Sequence, residues 1–174
     1  MPSNFAELEP NVERLGPVSD FVNEFIDAIQ PQPLFAGFSQ DECALLSTYL
    51  QCFGVPRQSV VIREGDTGDF MAILVTGSAV ILKTYAGIEK VVCAIQPGEM
   101  VGEASLIDGQ ARRASCITTE PSDFAVLTRR HLDALLEDHP RLGNKFLLML
   151  LNASTTRLRS ASAIMLPGVL EDLA

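Results

Sequence analysis

Residues 97–115 contain the residue types that bind a charged small molecule. Gly102 is followed by Glu103, and two consecutive arginines, Arg112 and Arg113, lie further along. A glycine lets the backbone approach a ligand closely, and the free N–H groups that begin a short helical turn after it can bind an anion. An arginine across the loop can add a charge-assisted contact to the same anion.

Glu103 makes the predicted ligand more specific. A carboxylate beside a bound anion is repelled unless it accepts hydrogen bonds from hydroxyl groups of the same ligand, so the combination predicts a sugar phosphate. The alternative from the residues alone is that Glu103 and Arg112 form a salt bridge within a loop. Residue types and spacing leave both interpretations open.

The elements that must position this segment are short β-branched runs separated by turns. No long helical pattern lies between these runs, which favours an antiparallel jelly roll over a parallel α/β sheet. The predicted fold is mainly β with flanking helices: an antiparallel β-roll with N-terminal helices and a C-terminal helical lid. The predicted strands are 59–63, 70–75, 78–84, 89–95, 114–119 and 123–127.

Helical patterns stand on both sides of the roll. Apolar spacing predicts a helix over about 17–29, and Ser39 with Glu42 forms a capping box for a second helix that we expect to run to Gly54. After the roll, a short helix over 131–138 is predicted.

A last helix is predicted to start at Pro140 and to end at Pro167-Gly168. The chain is therefore divided into an N-terminal helical extension (1–33), the roll (34–128) and C-terminal helices with a tail (129–174).

Residues 97–115 resemble the phosphate-binding cassette of cyclic nucleotide-binding domains, the family found in the catabolite activator protein and in regulatory subunits of cAMP-dependent protein kinase. The resemblance runs from about Leu34 to Arg159. It implies a regulatory module that binds a cyclic nucleotide, with cAMP favoured over cGMP. The marks that carry it, in order, are Leu34-Phe35, Glu64-Gly65-Asp66, Gly68-Asp69, Gly77, Pro97-Gly98, Gly102-Glu103, and Gly109 three residues before Arg112.

The resemblance also implies a role for each site residue. Glu103 would hold the ribose 2′-hydroxyl and Arg112 the cyclic phosphate, with backbone N–H groups near Ala104 and Ser105 completing the phosphate contacts. The base would be recognised from the long final helix. The polar residues of that helix that could contact the base are Asn152, Ser154, Thr155 and Thr156. The alternative is that these side chains only form a solvated face of the helix.

Two positions depart from the family pattern. Arg113 stands where a small residue usually follows the phosphate-binding arginine, so Arg113, followed by Ala114 and Ser115, could instead be the phosphate arm. Only one of two adjacent strand residues can point inward, and the offset from Gly109 favours Arg112, with Arg113 facing solvent. Gln58 stands where the family often has a glycine.

Composition limits the other functions. With only two histidines, both in predicted helices, no metal-binding jelly-roll enzyme and no nucleophile–histidine–acid arrangement can be assembled, so we expect a non-enzyme without a cofactor besides its nucleotide ligand. The four cysteines lack metal-ligand spacing and are predicted to be buried free thiols.

Charge and chain pattern limit the partners. A net charge of −9 disfavours nucleic acid binding, Arg157 with Arg159 is the one weak basic candidate, and few residues follow Arg159, so no direct DNA binding is expected. No stretch reaches membrane-spanning length and the first residues do not resemble a secretory signal, so no membrane partner and a cytoplasmic location are expected.

The last helix has a broad apolar stripe that includes Leu147, Leu148 and Leu151. This stripe predicts a homodimer through the C-terminal helix, although burial beneath residues 1–30 would also explain it. In the preferred hypothesis, nucleotide binding repositions this helix toward an unidentified effector protein or a dimer mate. The alternative function is a degenerate domain that acts as a ligand-independent protein interaction module.

Overall fold

The computed structural model describes Phe5 and residues 12–171, and within these nine strands form two antiparallel sheets. The five-stranded sheet has the order β1-β2-β9-β4-β7 and the four-stranded sheet the order β3-β8-β5-β6. The strands are β1 (Glu13–Pro17), β2 (Gln51–Val55), β3 (Val60–Ile62), β4 (Phe70–Thr76), β5 (Ala79–Tyr85), β6 (Ile88–Ile95), β7 (Met100–Val101), β8 (Ser115–Thr118) and β9 (Ser122–Thr128).

Helices flank this roll and interrupt it once. They are α1 (Val22–Ile29), α2 (Gln40–Ser47), α3 (Glu103–Asp108), α4 (Arg129–Asp138) and α5 (Pro140–Glu171), with short 3-10 turns at Val18–Phe21 and Pro33–Phe35. The predicted fold class, an antiparallel β-roll with helices before and after it, is confirmed. Among the described residues, no helix is long and apolar enough to cross a membrane.

The five-stranded sheet is buried on both faces. Alternate β4 side chains, Phe70, Ala72 and Leu74, pack in the interior of the roll against the other sheet. The intervening residues, among them Met71 and Ile73, belong to a second core formed with the helices. Burial on both faces explains why β4 is an uninterrupted apolar run rather than an alternating one.

The C-terminal helices and the N-terminal helices share that second core. One stripe of α5 is buried there, formed by Leu142, Phe146, Met149, Leu150 and Ala153. Lys145 of α5 also pairs with Glu42 of α2 at 2.5 Å, and this hydrogen bond is the main reason why the pKa of Glu42 is lowered.

Three sequence-based boundaries were wrong. The second helix ends at Ser47 rather than Gly54, because residues 51–55 pair as a strand with both β1 and β9. Part of the unpatterned N-terminal stretch is that β1 strand, which ends at Pro17 where a helix was expected to begin. The last helix continues past Pro167-Gly168, where the sequence predicted its end, to Glu171.

The prediction of buried thiols is correct for three of the four cysteines. Cys43, Cys52 and Cys116 are buried, whereas Cys93 is exposed. Cys93 lies on β6, an edge strand whose first seven residues are exposed, so its apolar neighbours do not bury it. Burial raises the pKa of Cys52 to about 11 and that of Cys116 to about 12.

We therefore expect one fast-reacting thiol. A thiol-specific reagent at pH 8 should label Cys93 rapidly and leave the other three unmodified in the folded protein, because they are buried and the thiolate is the reactive species. Mass spectrometry of the intact protein measures this labelling. Cys93→Ser should remove the fast phase, and fast labelling that persists in this variant would contradict the assignment.

A second prediction concerns Gly77, in the turn between β4 and β5. Its φ is +86°, and an added Cβ would lie 2.3 Å from the Ser122 Oγ and 2.5 Å from the Pro121 carbonyl oxygen. Gly87 has a similar φ of +78° but nothing within 4 Å of its Cβ position. Gly87→Ala should cost about 1 kcal/mol of backbone strain, and Gly77→Ala should cost about 1–3 kcal/mol more because of crowding. Urea unfolding measures both, and equal losses would show that crowding at Gly77 is unimportant.

Candidate ligand-binding site

Residues 97–115 connect β6 to β8 and contain β7 and α3. The beginning of the segment is fixed to neighbouring elements: the Gly98 N–H donates to the Leu74 carbonyl at 2.7 Å, and the Gln32 side chain donates to the Pro97 carbonyl at 2.9 Å. Leu106 of α3 is fully buried in the core that the helices share. The segment is therefore held in place before any ligand contact is considered.

The backbone of Arg112 is fixed on both sides. Its N–H donates to the Asp66 carbonyl at 2.8 Å, and its own carbonyl accepts from the Gly65 N–H at 2.9 Å. These two hydrogen bonds pair Arg112 with the 64–66 turn, whose sequence, Glu64-Gly65-Asp66, is one of the family marks.

The Arg112 side chain points inward and is 5% exposed. Its guanidinium donates from Nη1 to the Gly102 carbonyl at 2.9 Å and from Nη2 to the Phe70 carbonyl at 2.8 Å. The guanidinium carbon also lies 4.4 Å from the centroid of the Phe70 ring. These contacts use two of the five N–H donors of the side chain.

Two glycines make room for this guanidinium. A Cβ at Gly68 would lie 2.5 Å from Arg112 Nη2, and a Cβ at Gly102 would lie 2.5 Å from Nη1. Gly102 also has a φ of +82° and forms the N-cap of α3. Any larger residue at either position would displace the charged group.

The electrostatic environment of Arg112 is unusual for an arginine. Burial lowers its pKa, and the nearby negative charges of Asp69 and Glu103 oppose that effect. Its direct partners are neutral carbonyl groups, which solvate the guanidinium without neutralising it. A cation in this position favours the binding of an anion.

The neighbouring arginine is placed differently. Arg113 is exposed, and its backbone carbonyl accepts a hydrogen bond from Lys83. Ala114 is half-buried, and the Ser115 hydroxyl accepts from the Glu64 N–H at 2.9 Å within the sheet. Arg112 is thus the inward-facing arginine, as the Gly109 offset predicted, and its role toward a phosphate stays a prediction.

Glu103 is buried at the start of α3. Its carboxylate forms an ion pair with Arg157 of α5, and Arg157 Nη2 also donates to the Met100 carbonyl at 3.2 Å. The salt bridge considered from the sequence, Glu103 with Arg112, is not the ion pair that forms. Ala104 and Ser105 follow in the first turn of α3, half-buried and buried respectively.

The polar α5 residues predicted to contact a base face solvent or their own helix. The Thr155 hydroxyl donates to the Leu151 carbonyl at 2.8 Å, and Asn152, Ser154 and Thr156 are exposed. Arg157 of α5 does contact the segment, although the sequence suggested for it only a weak basic patch. Helical spacing could have found it, since Leu150, Ala153 and Arg157 lie on one face at intervals of three and four residues.

A cavity of about 250 Å³ lies beside α3. It is lined by the 67–69 turn, Ser105, Leu106, Gly109 and Arg129, and neither Glu103 nor Arg112 lines it. Arg129 Nη1 also donates to the Leu106 and Ile107 carbonyls at 3.4 and 3.3 Å, near the end of α3. The cavity thus adjoins the predicted site through Gly68 and Ser105, although Glu103 and Arg112 do not line it.

The chain is similar to known proteins in sequence and in structure. Residues 54–139 match the model of the cyclic nucleotide-binding domain. The crystal structure of a cyclic nucleotide-binding domain from Methylobacillus flagellatus KT is similar over 94% of this chain and 93% of that chain, with 35% sequence identity and a TM-score of 0.82.

Two curated relatives are longer than this chain. The cyclic AMP receptor protein of Thermus thermophilus is 29% identical over 130 residues, which cover 74% of this chain and 58% of that protein. A cAMP-dependent protein kinase regulatory subunit of Mycosarcoma maydis is 34% identical over 95 residues, 55% of this chain and 18% of that protein. The chain thus spans little more than half of the first relative and a smaller part of the second.

Proposed function

Since this chain belongs to the cyclic nucleotide-binding domain family, we propose that it is a regulatory sensor whose ligand is a cyclic nucleotide, with cAMP ahead of cGMP. The family assignment supports the ligand class. The preference for cAMP is supported by the names of the two curated relatives. Both are regulatory proteins rather than enzymes, in agreement with a non-catalytic role.

The observation that carries this proposal is the buried Arg112 guanidinium beside Glu103. A cyclic phosphate carries one negative charge and can accept from the N–H donors that the Gly102 and Phe70 carbonyls do not use. A ribose hydroxyl can donate to the Glu103 carboxylate, which precedes the phosphate-binding turn in sequence. The two residues together select a ligand that carries both groups.

Further contacts follow from the family resemblance and are part of the proposal. The backbone N–H groups of Ala104 and Ser105 would complete the phosphate contacts. By the same resemblance, we propose Thr155 and Thr156 as the α5 hydroxyls that face the base.

We also propose a homodimer through α5. The helix exposes Leu148, Leu151 and Leu158, which are 61%, 60% and 68% exposed and lie on the face opposite its buried stripe. They are spaced by three and seven residues, which fits the heptad repeat of a coiled-coil seam. A sensor of this kind would transmit nucleotide binding through α5 to its dimer mate or to an effector protein.

The function is tested by titrating the purified chain with cAMP and cGMP in a calorimeter, after any co-purified nucleotide has been removed. Micromolar or tighter binding is expected for at least one of them. Arg112→Ala should weaken that binding by about 2–5 kcal/mol, because it removes the charge partner of a buried phosphate.

Arg113→Ala is the matched control and should leave the affinity nearly unchanged, since Arg113 is exposed. Loss of binding in Arg113→Ala with full binding in Arg112→Ala would mean that the wrong arginine has been assigned. An empty protein that binds neither nucleotide would favour the ligand-independent interaction domain instead.

The dimer is tested by changing its proposed seam. Leu151→Glu should convert the dimer to a monomer in sedimentation velocity, because it places a charge in an apolar contact. Asn152→Glu adds the same charge at the next, exposed position and should leave the dimer intact. A wild-type chain that sediments as a monomer would rule out this seam.

A further inference from the structure

Arg157 contacts the same carboxylate that we propose to bind the ribose. Its guanidinium pairs with Glu103 and donates to the Met100 carbonyl, so it spans the residues on either side of Val101 and Gly102. The buried stripe of α5 lies in the helical core, which also contains Met100 and Leu106 of the segment. Arg157 therefore connects α5 directly to the predicted ligand site.

The exposures of the two side chains show which one covers the other. The Glu103 side chain is 6% exposed, whereas that of Arg157 is 57% exposed. The guanidinium therefore lies on the solvent side of the carboxylate. A ligand hydroxyl that approaches Glu103 from solvent meets Arg157 first.

Arg157 lies beyond the part of α5 that is buried in the helical core. Among the α5 residues whose side chains the structure describes, up to Ser160, the last one in the shared core is Ala153, one helical turn before Arg157. The residues between them are exposed or half-buried. The ion pair with Glu103 is thus an attachment of α5 beyond its buried stripe.

We propose that Arg157 competes with the ribose 2′-hydroxyl for Glu103, so that nucleotide binding displaces Arg157 and releases this part of α5. The inference rests on the proposed function and adds the regulation of the same site. One carboxylate serves two partners, one from the ligand and one from the helix. Binding linkage makes the effect reciprocal. The binding free energy that the nucleotide loses in competing with Arg157 equals the free energy by which the bound nucleotide weakens the contact between α5 and the segment.

The test compares nucleotide affinity in three variants. Arg157→Ala should bind cAMP more tightly than the wild type, on the order of two- to fivefold, which is the range of a partly exposed ion pair. Arg157→Lys keeps the charge and should stay close to the wild type. Arg159→Ala removes the same charge from an exposed position two residues away and should not change the affinity.

The ligand provides a second control. With 2′-deoxy-cAMP, which lacks the competing hydroxyl, the gain from Arg157→Ala should be smaller than with cAMP. An unchanged or weaker affinity for cAMP in Arg157→Ala, with normal binding by the wild type, would overturn the competition. If neither the wild type nor Arg157→Ala binds a cyclic nucleotide, the proposed function itself fails, which is a different result.

Hydrogen exchange gives a readout in the protein itself. In the nucleotide-free protein, Arg157→Ala should speed exchange of α5 backbone amides after residue 153, and Arg159→Ala should not. Equal exchange in the wild type and in Arg157→Ala would show that the ion pair does not hold this part of α5 and would overturn the proposal.

Discussion

The central sheet must bury both of its faces, and the position of the site follows from that constraint. One face of β4 closes the interior of the roll, and the other packs against the helices before and after it. Because Phe70 begins β4, its carbonyl and ring are fixed by both cores, and they hold the Arg112 guanidinium. A charged group can be buried here because the surrounding backbone is rigid enough to keep its carbonyl partners aimed at it.

The glycines around Arg112 belong to the same constraint. The space that the guanidinium occupies exists only because positions 68 and 102 carry no side chain. Two of the marks that identify the family in the sequence, Gly68 and Gly102, are therefore steric requirements of one buried cation. Gln58 has a left-handed φ of +62°. The chain therefore keeps a glycine-like backbone conformation at a position where the family often has a glycine and this chain has Gln58.

Local signals explain what could be predicted from the sequence. The turn residues and β-branched runs located the roll strands, and the Ser39–Glu42 capping box located the start of α2, where both of its hydrogen bonds form. The offset from Gly109 identified the inward arginine.

β2 was missed because its apolar residues serve two different cores and so mimic a helical pattern. The Glu103–Arg157 pair was missed because the partners are far apart in sequence, and only the packing of α5 against the sheet brings them together.

The length of α5 gives its attachment points a mechanical meaning. The shared core fixes the helix up to Ala153, and the helix continues to Glu171, about 27 Å further at 1.5 Å per residue. A rotation of only about 10° at Ala153 would then move the far end by about 5 Å, while Arg157, about 6 Å from the pivot, would move by about 1 Å. A rotation about Ala153 therefore displaces the helix little at Arg157 and several times more at its far end. If α5 moved as a rigid rod about Ala153, a displacement of about 1 Å at Arg157 would correspond to nearly one helical pitch, about 5 Å, at Glu171.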